Sequence, residues 1–192
     1  MPTTYSYDPV MNCFAMEDLS DYEVLRTALG KHKKFPQFAD QITTFLAQTL
    51  LLTSDVVLEH KEKKELVRKY TNPELCDISE CLVYTEPFYD CEQNDVTEGM
   101  RDFVQQYIWD DEQLTTETAK LKFDFMTNAQ SLLHGDLHTG SILVKEDAMK
   151  VFDPEFAFYG PAGYDVGNVI ANLIFAYVNA LYTIEGEEQR TD

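Results

Sequence analysis

The sequence is poor in glycine and in basic side chains. Only eight of its 192 residues are glycine, and none belongs to the G-x-G-x-x-G pattern of a phosphate-binding loop, so no such loop is expected. Lysine and arginine together number 15 against 34 acidic residues, which gives a net charge of −19. Because so acidic a surface repels phosphate backbones and anionic lipids, we expect neither a nucleic-acid partner nor a membrane partner.

Paired cysteines and long apolar runs are also missing. The four cysteines, at positions 13, 76, 81 and 91, show no C-x-x-C spacing, which favours reduced thiols of a cytoplasmic protein and leaves structural zinc as the alternative. No basic stretch precedes an apolar one at the N-terminus, so no secretory signal is predicted. The apolar segment 169–182 falls short of the roughly 20 residues of a membrane span. It predicts a core helix that buries Val166, Val169, Ile170, Leu173, Ile174 and Tyr177.

Hydrophobic periodicity predicts a mainly helical chain with few strands. An apolar strand is predicted over 11–16, and Ser20 with Glu23 has the spacing of a capping box for a helix that ends near Gly30. Further helices are predicted from 38 to about 50 and over 61–70, 97–109 and 112–133, whereas 71–95 contains two prolines and is predicted as an ordered loop region. Apolar runs at 142–144 and 150–153 flank turn residues and predict a β-hairpin.

The segment "LLHGDLHTGSIL", residues 132–143, places many polar groups between apolar residues. Burial without partners costs roughly 1–3 kcal/mol for each such group, so a ligand is expected here. Asp136 precedes the hairpin and Asp153 with Glu155 follow it, and the hairpin therefore predicts that all three carboxylates face one cleft. Grouped carboxylates favour a cation, and Mg²⁺ prefers oxygen ligands. A transition-metal hydrolase site through His134 and His138 stays open as the alternative.

The order of residues here is H-G-D, a polar residue five positions later, a hairpin and then D-x-x. This order is similar to that of the catalytic loop and metal-binding aspartate of kinase-like phosphotransferases. "HGDLHTGSI" with "DPEFAFYGP" resembles the aminoglycoside-phosphotransferase-like kinases, and most of all the 5-methylthioribose kinases of methionine salvage. "MEDLSD", "KYTNPELCDISE", "TEPF" and "YDVGN" extend the resemblance over nearly the whole chain. The implied fold is mainly α with a small β-hairpin, as in the C-terminal lobe of a protein-kinase-like fold with the N-terminal lobe absent.

The resemblance implies a role for each residue of the site. Asp136 would accept or orient the proton of the attacking sugar hydroxyl. The implied Mg²⁺ ligands are Asp153, Glu155 and Ser141, the last standing where most of the superfamily has asparagine. The implied nucleotide-binding residues are Glu17, Asp18 and Leu19, through their backbone, together with Asp153, Pro154 and Glu155. The implied supporting residues are His134, His138 and Asp165.

The implied reaction is the ATP-dependent phosphorylation of the 1-hydroxyl of 5-methylthioribose in the cytoplasm. The resemblance divides the chain into a hinge strand and turn at 1–19, a helical region at 20–133, a catalytic loop and metal-binding hairpin at 134–155, and a following helix at 156–192. A first lobe with the glycine-rich loop and lysine, and a later sugar-binding arginine region, are expected to lie outside this sequence. Arg190 is not in a matching context.

Several alternatives remain open at this point. The chain could be a catalytically inactive remnant or a binding module that retains half of a nucleotide site. A separately encoded first lobe and a homodimer are both compatible with the sequence. Bound zinc would favour the hydrolase, and nucleotide-dependent Mg²⁺ binding would favour the kinase.

Overall fold

The computed structural model describes residues 1–184, and helices make up more of them than strands do. The helices are α1 (Leu25–Gly30), α2 (Phe38–Leu46), α3 (His60–Lys69), α4 (Pro73–Leu82), α5 (Arg101–Val104), α6 (Glu112–Thr127) and α7 (Gly163–Thr183). The π-helical turns Ala47–Leu51 and Gln105–Trp109 continue α2 and α5, and a 3-10 turn spans Glu86–Phe88. The strands are β1 (Thr4–Asp8), β2 (Cys13–Met16), β3 (Glu23–Val24), β4 (Ser131–Leu132), β5 (Ile142–Lys145), β6 (Ala148–Val151) and β7 (Tyr159–Gly160).

These strands form three small antiparallel sheets. β1 pairs with β2 in an N-terminal hairpin, β3, β5 and β6 form a three-stranded sheet in that order, and β4 pairs with β7. The hairpin β5–β6, in which Ile142 lies opposite Val151 and Lys145 opposite Ala148, confirms the prediction from the two apolar runs. The mainly helical prediction is confirmed as well. The last part of the predicted 156–192 segment, including Arg190, lies outside the described residues.

Two separate hydrophobic clusters include the residues at the two ends of the polar motif. One contains Leu137 with residues of α1, α2, α7 and the hairpin β5–β6. The other contains Leu133 with Phe125 of α6 and Phe158. Leu133 and Leu137 are 1% and 0% exposed. The "LHGDL" sequence therefore fastens each end of a polar loop into a different part of the core.

The prediction of a capping box at Ser20 and Glu23 is wrong. Glu23 lies in β3 opposite Val144, and α1 begins two residues later with Val24 as an N-cap that makes no side-chain hydrogen bond. The Glu23 carboxylate instead pairs with Lys31 and Lys33 just beyond α1. Sheet pairing and these ion pairs replace the local cap. Strand β1, for which no prediction was made, completes a hairpin with the predicted strand.

The prediction of a loop region over 71–95 is wrong for Pro73–Leu82, which form α4. Pro73 is the first residue of α4, where a missing N–H costs nothing because the first helical N–H groups have no partner within the helix. Only Ser79 of α4 is buried, so the helix shows little apolar periodicity in the sequence. The predicted helix 112–133 ends earlier, at Thr127, and Ser131–Leu132 form β4.

The last helix is longer and much more exposed than predicted. α7 has 21 residues, and its fully buried side chains are Asp165 and Val169. Ile170, Ile174 and Tyr177, which were predicted to be buried, are 52%, 52% and 60% exposed. The hydrophobic periodicity predicts the helix, but it does not predict how much of the apolar face is buried. By length and composition alone α7 is a candidate membrane span among the described residues, a test that core helices of soluble proteins also pass.

Candidate active site

The polar loop 133–141, called the HGD loop below, has a backbone that demands glycine at one position. Gly135 has φ of +84°, and a Cβ atom there would lie 2.2 Å from the carbonyl oxygen of Phe156. Both the left-handed conformation and the close approach exclude a side chain. The loop therefore packs directly against the backbone that follows the hairpin β5–β6.

Asp165, in the first turn of α7, binds the backbone of this loop. Its two carboxylate oxygens accept hydrogen bonds from the backbone N–H groups of His134 (2.7 Å) and Gly135 (3.1 Å). Burial raises the pKa of Asp165 above its ordinary value, and the two N–H donors act in the opposite direction. The carboxylate thus fixes the direction in which the chain enters the turn at Asp136.

His134 links the HGD loop to the end of the hairpin. Its Nε2 lies 2.8 Å from the carbonyl oxygen of Phe152, and its Nδ1 lies 3.3 Å from the backbone N–H of Asp136. An imidazole that donates from Nε2 and accepts at Nδ1 satisfies both contacts. Phe152 also donates its N–H to the carbonyl oxygen of Ser141 at 3.1 Å. Phe152, which directly precedes Asp153, is therefore hydrogen-bonded to both ends of the HGD loop.

The Asp136 carboxylate is partly exposed and has one imidazole beside it. His138 Nε2 lies 3.3 Å from Asp136 Oδ2, while His138 Nδ1 accepts a hydrogen bond from the backbone N–H of Gly140 at 2.9 Å. This pattern places the proton on Nε2, facing the carboxylate. The buried Ser141 hydroxyl donates to the carbonyl oxygen of Asp136 at 2.9 Å. Both side chains therefore hold Asp136 in place.

The residues 152–158, called the DPE loop below, present two exposed carboxylates. Asp153 adopts a left-handed conformation with φ of +61°, which is uncommon outside glycine and marks a backbone held by its surroundings. The Ala157 N–H bonds to the carbonyl oxygen of Pro154 at 3.1 Å and closes a turn around Glu155. Asp153 and Glu155 are both exposed.

A cleft of about 720 Å³ lies between the N-terminal hairpin and the DPE loop. Asp153, Pro154 and Glu155 line one side, and Tyr7, Phe14 and Met16 of the hairpin are among the residues of the other. Glu17, Asp18 and Leu19 follow directly after Met16. The backbone N–H of Glu17 already bonds to the carbonyl oxygen of Thr3 at 2.8 Å. Any adenine contact of this segment would then fall on its other backbone groups.

The donor set around Asp153 suits a hard divalent cation. Among residues 1–184 no three His, Cys, Asp or Glu side chains gather into a ready metal site, but Mg²⁺ commonly takes only one or two carboxylates and completes its shell with phosphate oxygens and water. Asp153 and Glu155 could supply two such carboxylates. The imidazoles of His134 and His138 are both engaged at both nitrogens within the loops. That arrangement favours a supporting role over metal ligation.

Two asparagines that serve these loops were missed in the sequence. Asn172 of α7 accepts the Thr139 hydroxyl at 3.0 Å and so ties the HGD loop to the helix a second time. Asn72 donates its side-chain amide to the carbonyl oxygen of Glu155 at 2.8 Å. A polar residue within the apolar α7 is a signal for the first. The second, 83 positions from its partner, leaves no local signal.

A model of the phosphotransferase enzyme family matches residues 84–190. The match includes the HGD loop, the hairpin and the DPE loop, and it covers more than half of the chain. The chain belongs to the phosphotransferase enzyme family. The resemblance in its motifs is thereby confirmed.

Within this phosphotransferase family, several relatives are named methylthioribose kinase. The relative from Bacillus pumilus is 46% identical over 181 residues, which cover 94% of this chain and 45% of the relative. That from Escherichia coli O45:K1 is 45% identical over 100% of this chain and 46% of its own length. The relative from Exiguobacterium sibiricum is 50% identical over 84% of this chain and 41% of its own. The chain thus spans about half the length of the curated relatives it matches.

Proposed function

We propose that this chain is part of a kinase that transfers the γ-phosphoryl group of ATP to the 1-hydroxyl of 5-methylthioribose in the cytoplasm. The observation that carries the proposal is the HGD loop bound through Phe152 to the loop that bears Asp153 and Glu155. The sugar substrate rests on the names of the relatives. The fold assigned by this proposal is the C-terminal lobe of a kinase-like fold.

In the proposed reaction Asp136 accepts the proton of the 1-hydroxyl as its oxygen attacks the γ-phosphorus. The bond between the γ-phosphorus and the bridging oxygen breaks, and ADP leaves with that oxygen. His138 contacts the Asp136 carboxylate and Ser141 binds the Asp136 backbone carbonyl, and together they would keep the carboxylate aligned with the hydroxyl. Positioning of this kind contributes most of the catalysis in phosphoryl transfer.

On the nucleotide side, Asp153 and Glu155 would hold Mg²⁺, with the Ser141 oxygen as the third ligand proposed from the resemblance. When bound, Mg²⁺ neutralises negative charge on the phosphates. The cleft beside the N-terminal hairpin would receive the adenine, with Pro154 on one wall and Met16 on the other. The backbone of residues 17–19, which follows Met16, would supply the hydrogen bonds that the resemblance implies. His134 and Asp165 would keep the HGD loop in shape throughout.

The test replaces the matched 181 residues of the Bacillus pumilus relative with this chain and follows ADP release with ATP and Mg²⁺. Turnover that depends on 5-methylthioribose is expected, and Asp136→Asn should lower it by about 10²- to 10⁴-fold, the usual contribution of a general base. Equal turnover of an aminoglycoside would reject the sugar assignment. No turnover above the Asp136→Asn blank would leave a binding module as the function.

A further inference from the structure

Asn72 lies at a position where an asparagine side chain ordinarily caps the helix that follows it. It is the N-cap of α4, directly before Pro73, and there an asparagine side chain usually accepts a hydrogen bond from the first helical turn. Asn72 makes no such side-chain bond. Its backbone carbonyl accepts the Cys76 N–H at 3.0 Å, as the N-cap carbonyl of a helix ordinarily does. The side chain is therefore available for another partner.

That partner is the DPE loop. Asn72 Nδ2 donates to the carbonyl oxygen of Glu155 at 2.8 Å and lies 3.4 Å from the carbonyl oxygen of Ala157. Since one NH₂ group has two protons, it can bind both carbonyls at once. The two acceptors flank Phe156, whose own carbonyl oxygen faces Gly135. Asn72 thus binds the loop on each side of its contact with the HGD loop.

The ends of the DPE loop are held by the other side of the site. Phe152 is bound by His134 and Ser141, and the carbonyl oxygen of Phe158 accepts the Leu133 N–H at 2.9 Å. Between these two ends lie the strained Asp153 and the exposed Glu155. Asn72 binds the middle of this stretch from α4, an element outside both loops.

We propose that Asn72 is a positioning residue that sets the spacing of the Asp153 and Glu155 carboxylates, so that both can reach one cation with its nucleotide. This inference rests on the proposed function. Loss of the amide frees the Glu155 carbonyl and lets the turn around Glu155 move, while the HGD loop keeps its own bonds to Asp165. The metal–nucleotide affinity should fall, and the fold should persist.

The test compares neutral variants of two similar amides in this chain. Asn72→Leu removes the donor without adding charge. Asn72→Ser removes the long-range bonds yet restores a good N-cap, so α4 remains stable. The matched control is Asn94→Leu, because Asn94 Nδ2 likewise bridges two carbonyl oxygens, of Glu86 at 2.7 Å and Tyr89 at 2.8 Å, away from the two loops. Mn²⁺ replaces Mg²⁺ as a spectroscopic probe.

Two measurements are made on the chimera described above, in which this chain replaces the matched segment of the Bacillus pumilus relative. Hydrogen exchange should accelerate over 152–158 in both Asn72 variants and stay unchanged there in Asn94→Leu. Electron paramagnetic resonance of Mn²⁺ with ATP should show about 10- to 100-fold weaker binding for both Asn72 variants, the usual effect of removing a residue that orients metal ligands. The Asn94→Leu variant should bind as the unaltered chimera does.

The two proposals fail in different ways. Unchanged exchange over 152–158 in Asn72→Ser, or Mn²⁺–ATP binding within about twofold of Asn94→Leu, overturns the role of Asn72 while the kinase assignment stands. An unaltered chimera that binds no ATP in the presence of Mn²⁺ overturns the proposed function and the metal-positioning role with it.

Discussion

At the scale of single residues, the contact between His138 and Asp136 is the part of the site closest to the proposed chemistry. His138→Leu removes the imidazole that faces the carboxylate and the acceptor for the Gly140 N–H. We expect kcat to fall by up to about 100-fold, because small misplacements of a reacting group have effects of that size, with KM for ATP little changed. Steady-state kinetics beside His60→Leu, on α3, would test this. Equal losses in the two variants would contradict it.

Gly135 is the residue whose replacement should harm folding most directly. Gly135→Ala places a methyl group against the Phe156 carbonyl at a φ of +84°, and we expect the free energy of unfolding to drop by at least about 1–3 kcal/mol. The control is Gly167→Ala in α7, where a Cβ would meet nothing within 4 Å. That variant should be neutral or gain up to about 1 kcal/mol. Urea denaturation of both variants measures the difference, and a neutral Gly135→Ala would refute the expectation.

At the scale of elements, one carboxylate links the N-terminal hairpin β1–β2 to strand β6. Glu17 Oε2 accepts the Thr3 N–H at 3.0 Å and the Lys150 ammonium of β6 at 3.1 Å. These contacts hold the pKa of Glu17 below its ordinary value, the backbone hydrogen bond most of all. Since the folded-state pKa is the lower one, the stabilisation is complete above the unfolded pKa of about 4.3 and is lost as the pH falls through the folded-state pKa.

The hairpin should therefore loosen in acid in a manner that Glu17→Gln removes. We expect the variant to be less stable than the unaltered chain near neutral pH, and the difference to close at pH values of about 3. Denaturation midpoints at several pH values provide the measurement, with Glu74→Gln on α4 as the control. A difference that persists undiminished in acid would show that Glu17 acts through something other than its charge.

The same elements show what sequence reasoning can reach. The hairpin β5–β6 and the HGD loop are local, so periodicity, turn residues and motif spacing predict them. The capping box at Ser20 fails because Glu23 is drawn into a sheet with Val144, far away in sequence. α4 is missed because its burial is slight. The bond from Asn72 to the DPE loop depends on the packed fold, and no local rule reports it.

At the scale of the whole molecule, net charge and exposed apolar surface have opposite effects on self-association. Between Gly163 and Thr183 the single charged residue is Asp165, which is buried, while Ile174, Phe175 and Tyr182 are 52%, 68% and 85% exposed. Large exposed apolar patches favour association, whereas a net charge of −19 disfavours it. The balance should depend on salt, because ions screen the repulsion over distances of about 10 Å at 0.1 M.

We therefore expect the average mass of the isolated chain in solution to rise with salt concentration. Ile174→Glu should suppress that rise, and Val56→Glu, which adds the same charge at a site 83% exposed but outside α7, should have a smaller effect. Sedimentation at low and high salt measures the mass. A chain that stays monomeric at about 1 M salt, where screening is nearly complete, would show that the charge does not hold the copies apart.

The left-handed backbone at Asp153 puts folding and the proposed chemistry in conflict at one position. Asp153→Gly would remove the conformational cost at φ of +61° together with a carboxylate proposed to bind the cation. A population of variants enriched only for resistance to heat or protease would accept glycine there. One enriched for phosphoryl transfer would keep aspartate. Comparing the residues recovered at position 153 under the two selections would reveal whether evolution retains this side chain for its chemistry rather than for its shape.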